Sequence, residues 1–224
     1  MIDSPWRNTS IESNLELFDK MKKGYFAEGE CSLRMKMDMQ HVNPCMRDTV
    51  CYRIRYVPHP HSGDAWCIYP TYDYTHCICD SLENITHSLC TLEFEIRRES
   101  YYWLLKALDL YCPFVWEYSR LNISNTVLSK RKIEKLIADK LVTGWDDPRL
   151  HTIQGLRRRG YTPSIINNFC EAIGVARKGN ENITGYKKLE FYARQELDAT
   201  APRTFGVIDP VLLEIVNFEE FAPI

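Results

Sequence analysis

Apolar and polar positions change rhythm four times along the chain. In residues 11–24, IESNLELFDKMKKG, Leu15, Leu17, Phe18 and Met21 recur at roughly helical spacing, with Ser10 as N-cap and Gly24 as stop. CSLRMKMDM and TVCYRIRYV then alternate as strands do, and HPHSGDAW reads as a hairpin turn with Gly63-Asp64 at its tip. From Tyr72 the text predicts a helix through His87 and a short strand at TLEF. A strong amphipathic helix follows in ESYYWLLKALDLY, with Trp103, Leu104, Ala107 and Leu108 facing inward and Pro113 beyond its end. Strand–helix–strand alternation of this kind predicts an α/β fold with a parallel sheet. Residues 126–200 read as helices: RKIEKLIADKLV, TIQGLRRRG, TPSIINNFCEAIG and KKLEFYARQEL. Thr162-Pro163 opens one of them, and Gly160 and Gly174 are stops. After Pro202, FGVIDPVLLEIVNF predicts the first strands of a β domain.

Composition narrows the class. The 224 residues are 45% hydrophobic and 26% charged, with 13 Tyr and 5 Trp, which is globular rather than disordered. The net charge of −2 confines any nucleic-acid contact to local basic patches. Nine cysteines behind a polar start read as reduced thiols of a cytoplasmic protein, and the N-x-S/T triplets at Asn8 and Asn84 as chance. No run approaches the ~20 apolar residues of a membrane span.

Three constellations carry candidate chemistry. On a helix running to His87, His76, Asp80, Glu83 and His87 would share one face, which suits a metal or a polar pocket lining. The cysteines fit no zinc ribbon or finger, and no structural metal is expected. Cys90 with His87 has poor spacing for a nucleophile and reads as a packed thiol. TVLSKRK (126–132) and GLRRRG (155–160) suit phosphates. They equally suit a solvated face or acidic neighbours such as Asp146 and Asp147, and Arg97-Arg98 and Arg177-Lys178 share that ambiguity.

Longer stretches narrow the choice. WCIYPTYDYTHCICDSLENITHSLCTLEF (66–94), VWEYSRLNISNTVLSKRKI (115–133) and GWDDPRLHTIQGLRRRGYTPSIINNFCEAIGV (144–175) closely resemble glutaminyl-tRNA synthetases, class I aminoacyl-tRNA synthetases. SPWRNTSIESNLELFDKMKKGYFAEGECSLRMKMDM resembles the end of their acceptor-stem insertion, so the likeness covers nearly the whole chain. The resemblance implies the latter part of that insertion over 1–71 and the second half of the Rossmann-like nucleotide-binding fold over 72–120. It implies a helical connector over 121–200 and the start of an anticodon-binding β-barrel over 201–224.

The implied reaction is ATP-dependent activation of L-glutamine and its transfer to the 2′-hydroxyl of tRNA(Gln), with ATP entering as its Mg2+ complex. Val127-Leu128-Ser129-Lys130-Arg131 stands where the family carries Lys-Met-Ser-Lys-Ser. By likeness Lys130 and Ser129 are catalytic, and Thr91, Arg120, Leu121, Leu128, Ser129 and Lys130 bind ATP. Tyr72, His76, Cys90 and Phe94 line the glutamine pocket, and Arg177 and Lys178 touch tRNA. A monomer off the membrane is expected.

Eukaryotic-type glutamyl enzymes share the layout, and relatives of that kind look to carry Arg at the place of Cys90 and to lack His at that of His76. A neutral thiol does not compensate a desolvated carboxylate, which favours glutamine. The chain departs from the family at Val115, where Gln is usual. It also holds no His-Ile-Gly-His-type motif, so it reads as an internal fragment and is expected to be inactive alone. The alternatives are a glutamate–tRNA ligase of the eukaryotic type and a non-catalytic tRNA-binding module.

Overall fold

The computed structural model describes residues 3–177, 179 and 181–218. The chain divides into two compact units, Met1–Ile123 with Gly174–Thr184, and Ser124–Ile173 with Gly185–Ile224.

The first unit opens with α1 (Ile11–Lys22), where Ser10 Oγ accepts from Ser13 N–H at 3.2 Å. Gly24, at φ +78°, lets the chain reverse where a Cβ would be strained. Strands β1 (Ser32–Arg34), β2 (Val50–Ile54) and β3 (Ile68–Pro70) form an antiparallel sheet, with the β2–β3 connection folded back on itself at His59 and Gly63. Met21 of α1 seals one face of it against Ile54 and Ile68. The alternation of residues 31–39 outlasts its strand. Met35 and Met37 lie beyond β1 and, with Met46 and Cys51, join a larger core of Cys77, Tyr101, Leu104, Leu105 and Val115.

That larger core holds a strand–helix–strand unit. Helix α2 (Tyr72–Leu82) precedes β4 (His87–Thr91), helix α3 (Arg98–Ala107) crosses over, and β5 (Phe114–Tyr118) pairs parallel to β4. The fold departs from the sequence pattern at three places. α2 stops at Leu82 because Asn84 takes φ +54°, so Glu83 and His87 leave the face carrying His76 and Asp80, and His87 starts a strand. TLEF is not a strand: Thr91 ends β4, and Leu92–Arg97 wind into a 3-10 turn. The inward face of α3 is Tyr101, Leu104 and Leu105, while Ala107 and Leu108 are exposed where the helix runs out. A strand pattern did not announce β7 (Glu181–Thr184), which pairs parallel with β6 (Arg120–Ile123).

The second unit is helical: α4 (Lys130–Ala138), α5 (Ile153–Arg158), α6 (Pro163–Ile173) and α7 (Tyr186–Thr200). Ile165, Phe169, Leu189 and Ala193 are buried where α6 packs on α7. The expected stops hold, with Gly160 at φ +92° and Gly174 at φ +69°. Beyond α7, residues 201–218 form no strand among the described residues. Phe205, Ile208 and Leu212 are exposed there, and an apolar run becomes a strand only with a partner edge. All nine cysteines are unpaired thiols, and burial pushes Cys51 up to about 12 and Cys77 up to about 11. No helix of the described residues is long and apolar enough to cross a membrane.

The loop into α5 is held by two devices. Asp147 is buried and accepts from Thr143 N–H (2.9 Å), Arg149 N–H (2.9 Å), Arg149 Nε (2.9 Å) and Arg149 Nη2 (2.8 Å). The Arg149 guanidinium first, then the two backbone donors, hold its carboxyl far below the usual carboxylate range. Gly155 lets the first turn of α5 press on this loop: a Cβ there would sit 2.3 Å from Leu150 O and 2.6 Å from Asp147 O.

Gly155→Ala therefore destabilises by about 2 kcal/mol or more, read as a lowered denaturant midpoint. A depressed pKa in the folded state means that the Asp147 contribution is complete above the ordinary aspartate value of 3.8 and lost as pH falls below it. Thermal melts of Asp147→Asn should show a deficit at pH 7 that narrows between about pH 4 and about pH 2.

Candidate functional site

The β4–β5 pair sets the floor of a cleft in the first unit. Parallel register places Ser88 beside Val115 and Cys90 beside Glu117, and the two-residue period puts all four on one face. Ser88, Val115 and Glu117 are buried and Cys90 is half-buried, while His87 and Leu89 face the other way and are exposed. Cys90 and His87 therefore form no nucleophilic pair.

The walls come from helices. Tyr72 and His76 sit one turn apart on α2, with rings stacked at 4.9 Å, and Phe94 from the 3-10 turn packs against Tyr72 at 5.2 Å. His76 Nε2 lies 3.3 Å from Ser88 Oγ and 3.2 Å from Asp80 Oδ2. Asp80 also accepts from Ser88 Oγ (2.6 Å) and the Tyr101 hydroxyl (3.0 Å), so a carboxylate fixes the imidazole against the floor.

Two arginines line the cleft, and each is held by an acid that lines it too. Arg97 donates to Asp73 and lies over the rings of Tyr72 (5.9 Å) and Phe94 (5.6 Å). Arg98 donates from Nε to Glu117 Oε1 (2.9 Å) and from Nη2 to Oε2, the forked geometry of a strong ion pair. Glu117 is fully buried, and its Oε2 also lies 3.4 Å from Arg177 Nη2. Hydrogen bonding to their acids raises both Arg97 and Arg98. Burial, with the Glu117 charge behind it, pushes the Cys90 thiol up, so it meets neutral pH protonated. Burial likewise raises Tyr72 and, with Asp80, Tyr101.

Tyr72, His76, Cys90 and Phe94 thus converge on one cleft. Thr91 closes β4, and Arg120, at the start of β6, pairs with Glu93. Leu121 follows Arg120 on β6 beside Asn182. Leu128, Ser129 and Lys130 belong to the second unit, where Ser129 is the N-cap of α4 and Lys130 projects into solvent, 3.6 Å from Glu134. Arg177 spans Glu95 (3.0 Å) and Glu117 and lies over Trp116. Lys178 lies outside the described residues. Within GLRRRG, Arg158 meets Asp146 at 3.2 Å and Arg159 meets the Tyr186 hydroxyl at 2.6 Å.

The sequence reading missed Asp73, Ser88, Tyr101 and Glu117 as lining or supporting groups. The signal for Glu117 was present: an acid at an inward position of FVWEY needs a buried cation.

Residues 1–199 match the family described as tRNA synthetases class I (E and Q), catalytic domain. The chain is 59% identical, over 98% of its length, to a probable glutamine--tRNA ligase of Dictyostelium discoideum, covering 28% of that protein. It is 56% identical to the glutamine--tRNA ligase of Lupinus luteus, over 97% of this chain and 27% of the relative. It is 54% identical to that of Vibrio cholerae, over 96% of this chain and 38% of the relative. It therefore spans about a quarter to two fifths of these relatives. The crystal structure of a glutamate tRNA ligase from Elizabethkingia meningosepticum, in complex with its amino acid, shares the fold at a TM-score of 0.52 and 18% identity, over 86% of this chain and 42% of that one. With more than half of its length matched, the chain belongs to the class I tRNA synthetases of the glutamate and glutamine group, within their catalytic domain.

Proposed function

We propose that the chain is part of a glutamine–tRNA ligase and that its cleft receives the side chain of L-glutamine. One observation carries the reading: Arg97 and Arg98, the arginines lining the cleft, are each paired with an acid in the same lining. A carboxylate entering such a place loses its hydration without gaining a cation, whereas a neutral amide meets the Tyr72 hydroxyl, the His76 imidazole and the Cys90 thiol at small cost. Phe94 and Val115 supply apolar surface for the side-chain methylenes.

In the reaction that follows, the glutamine carboxylate attacks the α-phosphorus of ATP, delivered with Mg2+. The glutaminyl-adenylate forms and pyrophosphate leaves. The 2′-hydroxyl of the terminal adenosine of tRNA(Gln) then attacks the adenylate carbonyl and releases AMP. The protein's part is positioning and charge stabilisation. Lys130 is exposed and holds only a loose ion pair, so its ammonium is available to negative charge growing on the departing pyrophosphate. Ser129 and Leu128 complete that loop at the N-terminus of α4, where backbone N–H groups favour an anion. Thr91, Arg120 and Leu121 take the nucleotide. Arg177 and Lys178 take the tRNA backbone. Residues 1–71 serve the acceptor stem, 72–120 the second half of the nucleotide-binding fold, 121–200 the connector and 201–224 the anticodon-binding part.

The test is aminoacylation by the Dictyostelium relative with its matching segment replaced by this chain. L-Glutamine, ATP and tRNA(Gln) should give charged tRNA. Lys130→Ala should lower kcat about 10²–10³-fold, the scale for removing one transition-state donor. Charging with L-glutamate at a comparable kcat/KM would overturn the choice of amino acid.

A further inference from the structure

The lining of the cleft holds an arrangement that a pocket for a small neutral side chain does not need for shape alone. Glu117 points from the middle of β5 into the floor with no exposed surface, and Arg98 reaches it from the first turn of α3. Both guanidinium donors of that contact end on Glu117 oxygens. Arg177, the other cation on Glu117, divides itself between Glu117 at 3.4 Å and Glu95 at 3.0 Å. Arg98 is thus the cation whose charge balance hangs on Glu117, and both residues line the cleft with Cys90, the strand neighbour of Glu117.

We infer that Glu117 is the residue that sets the charge selectivity of the cleft: by occupying Arg98 it denies that cation to any incoming carboxylate. The inference rests on the cleft being the amino-acid site, and it gives that site its device for rejecting glutamate. Selectivity between two side chains differing by one charged group is made as well by withholding a partner from the wrong one as by contacting the right one. An arginine already forked onto a buried carboxylate has its charge compensated and keeps only its outer N–H groups for a second anion, which gains little from it. Replace the carboxylate with an amide of the same shape and Arg98 becomes an uncompensated cation beside the pocket floor, where a desolvated anion is strongly favoured.

Cys90 provides a readout inside the cleft that needs no catalysis. Iodoacetate and iodoacetamide alkylate a thiolate by the same displacement of iodide, and they differ as glutamate differs from glutamine. Their rate ratio at Cys90, divided by that at exposed Cys170 on α6, cancels changes in thiolate fraction and reports the field felt by an anion. Rates are followed by mass spectrometry of the two peptides in the full chain. In Glu117→Gln the normalised ratio should rise about tenfold, the scale of one uncompensated charge at short range. In Arg98→Gln it should fall below the unsubstituted value, because Glu117 is then the group left over. A folded Glu117→Gln, shown by a cooperative melt, with an unchanged ratio overturns the inference. If Glu117→Gln does not fold, Arg98→Gln decides, and an unchanged or increased ratio there overturns it. Ratios that move as expected beside a chimera that fails to charge glutamine would sink the functional reading and leave the charge device standing. Glutamine charging with unmoved ratios would do the reverse.

Discussion

A carboxylate with no access to water must have its charge met, and in this protein Glu117 imposes that demand at the centre of the first unit. Arg98 meets it from the start of the crossover helix, and Arg177 adds to it from the segment that returns after α6. One buried group therefore ties the strand, the crossover helix and the returning segment to one place. Removing a single partner of such a pair is far more costly than never having built it, because the other charge is left stranded in a poor dielectric. The lining of the cleft follows from that constraint. Cys90 lies next to Glu117 by strand register, and Tyr72, His76 and Phe94 face the same floor.

Much of this was legible in the sequence, for physical reasons. The capping chemistry at Ser10 is local, and so is the helix at Pro163–Ile173, where Thr162 and Pro163 start the turn and Gly174 ends it. The parallel unit was legible because amphipathic period and strand run alternate over a short span. Tyr72 and His76 were legible as a pair because helical spacing sets them one turn apart.

What was not legible depended on contacts distant in sequence. The helix written through His87 stops at Leu82 because Asn84 adopts a left-handed backbone, which the chain's polar text there does not demand. TLEF has the residues of a strand, yet no partner edge continues past Thr91, and the 3-10 turn instead brings Phe94 onto Tyr72. Arginines whose sequence suits phosphates and acids alike lie beside acids: Arg97 by Asp73, Arg158 by Asp146, a neighbour the sequence itself offers, and Arg177 by Glu95. A run of positive charge in a sequence gives the cations but hides their partners.

The pairing of β6 with β7 bears on how the protein is made. The two strands belong to the same unit, yet the whole stretch from Ser124 to Ile173 belongs to the other. As the chain leaves the ribosome, the first unit must wait with an unpaired strand edge until Thr184 has emerged. By then α4, α5 and α6 have left the exit tunnel ahead of it. Closing so distant a pair is slow by its topology, and an open edge during that wait is the moment when a nascent chain most needs shielding from its neighbours.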